Sequence, residues 1–115
     1  MDNSTLINQF LDHYWLSSGA SQNTLSAYRS DLKLFANWFD QPLTNVSDQT
    51  IKNYFEHRQL NSMSTATQAR ILTCLRAFYL HLLTSKIINQ DPTTKLHHPK
   101  QAQKLPIFLN IDEVD

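Results

Sequence analysis

A chain of 115 residues that is 41% hydrophobic and 10% aromatic has the size of one small domain and enough apolar content for a core. No run approaches the ~20 apolar residues of a membrane span, and the opening MDNSTLINQF lacks the basic and apolar regions of a signal peptide, so a cytoplasmic setting is expected. The formal net charge of zero hides an uneven spread: residues 1–63 carry four Lys/Arg against six Asp/Glu, residues 64–104 carry six (Arg70, Arg76, Lys86, Lys95, Lys100, Lys104) against Asp91 alone, and residues 105–115 carry three acids. The basic middle block suits a polyanion, although a solvated helix end and linker would carry the same charge.

Four helical segments are predicted in chain order. The first runs from about Ser4 to Ser18 with Ile7, Phe10, Leu11 and Tyr14 on one face, and Gly19, the one glycine, stands where a left-handed residue would end it. The second starts after Ser21, carries Leu25, Tyr28, Leu32, Phe35 and Phe39 at helical spacing, and is expected to stop at Pro42. The third opens at Ser47, a good N-cap with Asp48 in the first turn, and buries Ile51, Tyr54 and Phe55. The fourth opens with Thr65 and Gln68 in capping-box spacing and continues to about Lys86, with Ile71, Leu72, Leu75, Phe78, Tyr79 and Leu82 forming a broad apolar stripe. Cys74 lies inside this pattern as a buried thiol, and a lone cysteine builds no disulfide framework. No segment alternates with period two for long enough to make a strand. The expected fold is all-α, a compact bundle of four to five helices.

After Asn89 the pattern changes. NQDPTTKLHHPKQAQKLP holds three prolines and no apolar periodicity, which reads as an extended linker. Asn110 would cap a new helix begun by Ile111, Asp112, Glu113 and Val114, and a single turn cannot stabilise itself. The expected division is a helical domain over 1–90, a basic linker over 91–110, and the start of a second domain over 111–115.

Catalytic groupings are scarce. There is no glycine-rich phosphate loop, no cysteine pair and no strained nucleophile elbow. His97 and His98 are adjacent in the linker, a poor geometry for two ligands of one metal, and the carboxylates are scattered. Neither catalysis nor a metal or cofactor is expected of this segment.

The backs of the second and fourth helices are more informative. Opposite its apolar stripe the second carries Asn23, Ser26, Arg29, Ser30, Lys33 and Asn37, and the fourth carries Ala66, Ala69, Arg70, Thr73, Ala77 and Thr84. Both faces are short-chained and free of acid. Plain solvent exposure would account for them, yet Arg and Lys among small donors also suit phosphates and base edges. On this reading Ala77 and Leu80 point instead to a neighbouring helix. Arg76 lies at the flank of its stripe, where it either faces DNA or anchors an internal carboxylate. Alanine at Arg29 or Arg70 is expected to leave folding nearly intact.

NTLSAYRSDLKLFANWF (23–39), TQARILTCLRAFYLHLL (67–83), DP at 91–92 and LPIFLNIDEV (105–114), taken together and in order, resemble the N-terminal core-binding domain of tyrosine site-specific recombinases of the bacterial Xer type. The resemblance implies a SAM-like helical bundle joined by a linker to a catalytic domain, the two clamping double-stranded DNA. With the outward faces above, DNA contacts are expected at Asn23, Thr24, Ser26, Arg29, Lys33, Ser64, Thr65, Thr67, Arg70, Arg76 and Lys86. For the full protein the resemblance implies strand exchange through a phosphotyrosine in a tetramer on DNA, a nucleoid-associated role without metal or cofactor, with Trp15 and Leu16 at the end of the domain that packs neighbouring subunits. Tyr14, Tyr28, Tyr54 and Tyr79 lie on or beside apolar stripes and read as core residues rather than nucleophiles. The competing reading is an α-helical protein-protein interaction module, which a large exposed apolar patch would favour. A small helical enzyme is disfavoured by the lack of any convergent polar constellation.

Overall fold

The computed structural model describes residues 2–59 and 64–96. Among them are four α-helices, α1 (Asn3–Ser18), α2 (Gln22–Phe39), α3 (Asp48–Gln59) and α4 (Thr65–Thr84), with one 3₁₀ turn over Leu43–Asn45 and no strand. The all-α expectation holds.

Each helix starts on a side-chain cap. Asp2 Oδ1 accepts from the Thr5 amide at 2.8 Å and opens α1. The other three use one device, Ser-x-x-Thr. Ser21 accepts from the Thr24 amide (3.1 Å), Ser47 from the Thr50 amide (3.2 Å) and Ser64 from the Thr67 amide (3.1 Å), each with a hydroxyl–hydroxyl contact to the same threonine. Such caps satisfy amides that the first helical turn leaves without partners. The cap of α4 is therefore Ser64 with Thr67, one residue before the expected Thr65–Gln68 pair.

Left-handed residues follow α1, α2 and α4. Gly19 (φ 67) closes α1 as expected. α2 stops at Phe39, before Pro42, because Asp40 turns left-handed (φ 56) and its amide donates to the Ala36 carbonyl at 2.9 Å. Pro42 then starts the 3₁₀ turn, its carbonyl accepting from Asn45. α4 ends at Thr84 with Ser85 as its cap, and the next residue, Lys86, turns left-handed (φ 62) while the Ile87 amide reaches back to the Leu82 carbonyl at 2.9 Å.

Most of the core comes from the stripes read from sequence, with Leu6, Leu43, Val46 and Leu96 added, while Tyr14, Leu25, Phe39 and Phe55 are only partly buried against it. Leu6, Ile7, Phe10 and Leu11 of α1, Tyr28, Leu32 and Phe35 of α2, Ile51 and Tyr54 of α3, and the α4 stripe are all buried together with Cys74. Phe10 meets Phe78 edge-on at 5.5 Å, joining α1 to α4, and Phe35 meets Tyr54 edge-on at 4.9 Å, joining α2 to α3. The link between α2 and α3 is pinned from two sides. The Asn3 amide side chain accepts from Leu43 N (2.9 Å) and donates to Gln41 O (3.0 Å), while the Tyr79 hydroxyl donates to the Leu43 carbonyl (3.0 Å).

Residues 91–96, which the sequence reading places in an extended linker, form a turn packed on the bundle. Asp91 Oδ1 accepts from the Thr93 amide (2.8 Å) and hydroxyl (2.6 Å), an Asx turn. Thr93 and Leu96 are buried, and Leu96 joins the core, a burial worth ~2 kcal/mol. His97, His98 and the 105–115 segment lie outside the described residues.

Candidate nucleic-acid interface

The outward stripe of α2 is confirmed as a surface: Asn23, Ser26, Ser30, Lys33 and Asn37 recur every three or four residues and are all exposed. Its one acid, Asp31, points inward and is 4% exposed. α4 contains no Asp or Glu at all.

The helices cross in antiparallel sense. Arg70 of α4 meets Asp31 of α2, and four residues on, the Cys74 thiol reaches the carbonyl of Tyr28 at 3.8 Å. This crossing decides which candidate residues share a region. Ser64 and Thr65 lie ~9 Å from Arg70 along α4, and Asn23 lies ~12 Å from Asp31 in the opposite sense along α2. Lys86 is ~24 Å from Arg70 along the α4 axis, so it belongs to the far end of the bundle. Thr24 and Thr67 are half-buried and serve in caps, whereas Asn23, Ser26, Ser64 and Thr65 are exposed.

The four arginine and lysine candidates on the helix shafts differ in what holds them. Arg29 is exposed and donates from Nη1 to Asn8 Oδ1 of α1 at 2.6 Å. Lys33, one turn on, is exposed and has no side-chain hydrogen bond or ion pair among the described residues. Arg29 and Asp31 are two residues apart, ~200° around the helix, so α2 shows Arg29 on its α1 side and Asp31 on its α4 side.

Arg70 does not stand alone on an outward face. Its Nε donates to Asp31 Oδ2 at 3.1 Å and its Nη2 to Oδ1 at 2.8 Å, a two-pronged pair in which the carboxylate side chain is 5% exposed and the guanidinium side chain 48%. Those hydrogen bonds raise the Arg70 pKa above its ordinary value. The pair argues against the expectation that Arg70→Ala leaves folding intact, since the carboxylate would lose its counter-charge in the interior. The internal carboxylate suspected for Arg76 belongs to Arg70. Arg76, half-buried and ~120° around α4 from Arg70, donates from Nη2 to the Leu96 carbonyl and tethers the 91–96 turn. Its side of α4 is not the side that meets α2.

Tyr28, Tyr54 and Tyr79 are buried. Burial pushes the Tyr28 hydroxyl up to about 12 and raises those of Tyr54 and Tyr79, conditions opposite to those of an activated nucleophile. The Cys74 thiol is likewise pushed up by burial. Ala77 packs partly on the core, but Leu80 is 56% exposed with no described helix over it. No helix of the described residues is long and apolar enough to cross a membrane.

Residues 7–86 match the family described as phage integrase, N-terminal SAM-like domain. The chain belongs to that family. It is 38% identical over 113 residues to tyrosine recombinase XerD of Shewanella oneidensis, covering 96% of this chain and 38% of that protein. It is 39% identical over 117 residues to tyrosine recombinase XerD of Proteus mirabilis (99% of this chain, 37% of the relative) and 31% over 115 to that of Listeria innocua (96% and 39%). The chain thus spans well under half the length of these relatives. No solved structure matches it.

Proposed function

We propose that this domain binds double-stranded DNA as one half of a clamp in a tyrosine site-specific recombinase. The observation that carries the reading is the exposed, acid-free stripe of α2 beside an α4 without acids, in a domain of the integrase N-terminal family. Lys33, Arg29 and Arg70 supply charge for phosphates, with Ser64 and Thr65 as short donors on one side of the α2–α4 crossing and Asn23 and Ser26 on the other. Thr24 and Thr67 contribute by fixing the helix ends, Arg76 by fixing the 91–96 turn, and Lys86 reaches only DNA that extends past the far end of α4.

The whole protein would exchange DNA strands through a tyrosine nucleophile in a catalytic domain, without metal or cofactor, as a cytoplasmic and nucleoid-bound tetramer. Trp15 and Leu16, 52% and 76% exposed at the end of α1, suit the contacts between neighbouring subunits on DNA. The domain division proposed is a bundle through Leu96, then a basic linker to about residue 110 and the catalytic domain from 111.

Fluorescence anisotropy with a labelled mixed-sequence duplex tests the reading. Binding should be weak and lose at least tenfold in affinity between ~50 and ~200 mM salt, as expected for a few phosphate contacts. No binding at the lower salt, together with a stable DNA-free dimer in sedimentation, would favour the protein-interaction module instead.

A further inference from the structure

We propose that Asp31 is a positioning residue for DNA contact: from the seam between α2 and α4 its carboxylate fixes the Arg70 guanidinium with one edge inward and the other toward the phosphate backbone. The inference rests on the DNA-binding reading above and adds to it a residue that never touches DNA.

The pair is one-sided. Asp31 is buried and Arg70 half-exposed, with Nε and Nη2 spent on the carboxylate at 3.1 and 2.8 Å. A guanidinium has five N–H groups in a fixed planar fork. Two are engaged here, so three remain, both hydrogens of Nη1 and one of Nη2, with one from each on the end of the fork. No described residue takes Nη1. The carboxylate is itself buried, projecting from α2 one turn beyond Tyr28, beside the Cys74 contact that joins the two helices. An arginine that is already held loses less side-chain freedom on meeting a phosphate than one that waves in water, and the fork keeps its orientation.

A purely structural clasp would leave the same three N–H groups to water, so the two roles separate only in DNA binding. Charge also argues in a direction that makes the proposal testable. A carboxylate close to a polyanion opposes binding, so neutralising Asp31 should strengthen DNA binding if electrostatics alone mattered. Positioning has the opposite sign.

The decisive variant is Asp31→Asn, which keeps the shape and one acceptor oxygen but loses the charge that grips the fork. Affinity for the labelled duplex should fall about three- to tenfold at constant salt, in the range of coupling between residues in direct contact. The same substitution in an Arg70→Ala background should bring no further loss. Arg70→Lys, which retains charge without the planar fork, should weaken binding similarly. Circular dichroism melts set a working temperature at which every variant is folded; should Asp31→Asn not fold, the Arg70→Lys comparison decides. Parent protein that fails to bind DNA would sink the DNA reading itself. Parent that binds, with Asp31→Asn equal or tighter, with a loss that persists in the Arg70→Ala background, or with Arg70→Lys like the parent, overturns the positioning role alone.

Discussion

Removing the Arg70 side chain should destabilise the free domain, although the residue is half-exposed and sits on a helix surface. Arg70→Ala deletes two charge-assisted hydrogen bonds and leaves the Asp31 carboxylate, 5% exposed, without a cation. Stripping one partner from a fully buried pair costs about 3–5 kcal/mol. Here the guanidinium is already 48% exposed, and water can follow it toward the carboxylate, which discounts the cost. An unsatisfied buried acceptor costs about 1–3 kcal/mol, and the expected loss lies near the upper end, ~2–3 kcal/mol. For a domain of this size 1 kcal/mol moves Tm by roughly 4–8 °C, so the midpoint should drop by about 10–20 °C. Thermal melts followed at 222 nm without DNA measure it. Arg70→Lys should fall in between, because an ammonium keeps the charge but not the fork. A Tm within ~2 °C of the parent for Arg70→Ala would refute the claim that this pair holds α2 to α4.

Lys33→Ala is the contrasting case: Tm should stay within error, while the slope of log affinity against log salt becomes shallower by about one unit in anisotropy titrations. Tyr79→Phe should cost ~1 kcal/mol in denaturant unfolding, since the hydroxyl leaves the buried Leu43 carbonyl it now serves at 3.0 Å. His81 has its pKa lowered from 6.5 by burial and then by His13, whose ring lies 4.9 Å away on α1. A lowered histidine is neutral in the folded state while the unfolded chain takes up the proton, so its contribution is present above pH ~6.5 and is lost as pH falls through the folded value. Stability measured across that window should decline in the parent more than in His81→Gln.

Most of the fold was legible because apolar spacing is a property of each helix alone. Ile7, Phe10, Leu32, Phe35, Leu75 and Phe78 are core residues in any bundle that buries those stripes. Helix ends were less legible where several residue types compete. Pro42 is the stronger breaker by composition, but Asp40 reaches the left-handed region first, as Asp can when its helix has nothing further to bury. The Ser-x-x-Thr spacing occurs at 21–24, 47–50, 62–65 and 64–67, so its repetition marked the region where α4 begins without choosing between Ser62 and Ser64. Nothing local told that 91–96 would fold back: Leu96 is a single apolar residue among polar ones, and its burial depends on space left by the rest of the bundle.

The candidate face was legible in outline and not in its wiring, and Asp31 shows why. Charge counting treats Arg70 as one free cation, but an acid three residues after Tyr28 and four before Phe35 stands on the buried side of α2 and has to find a counter-charge or a set of donors there. The sequence contains that demand without naming the residue that meets it, since the partner lies 39 positions away on another helix. Once the pair is seen, the cations of the proposed interface divide into two physical kinds. Lys33 is exposed without a side-chain partner among the described residues and adds attraction that salt can screen, and Arg29 is held by the uncharged Asn8. Arg70 is neutralised in part by its own carboxylate, so it adds little long-range attraction and offers a fixed geometry instead. Phosphate contacts of the fixed kind set the register of a protein on a duplex. In the proposed complex the α2 stripe would therefore draw DNA to the domain, and the α2–α4 seam would fix where it comes to rest.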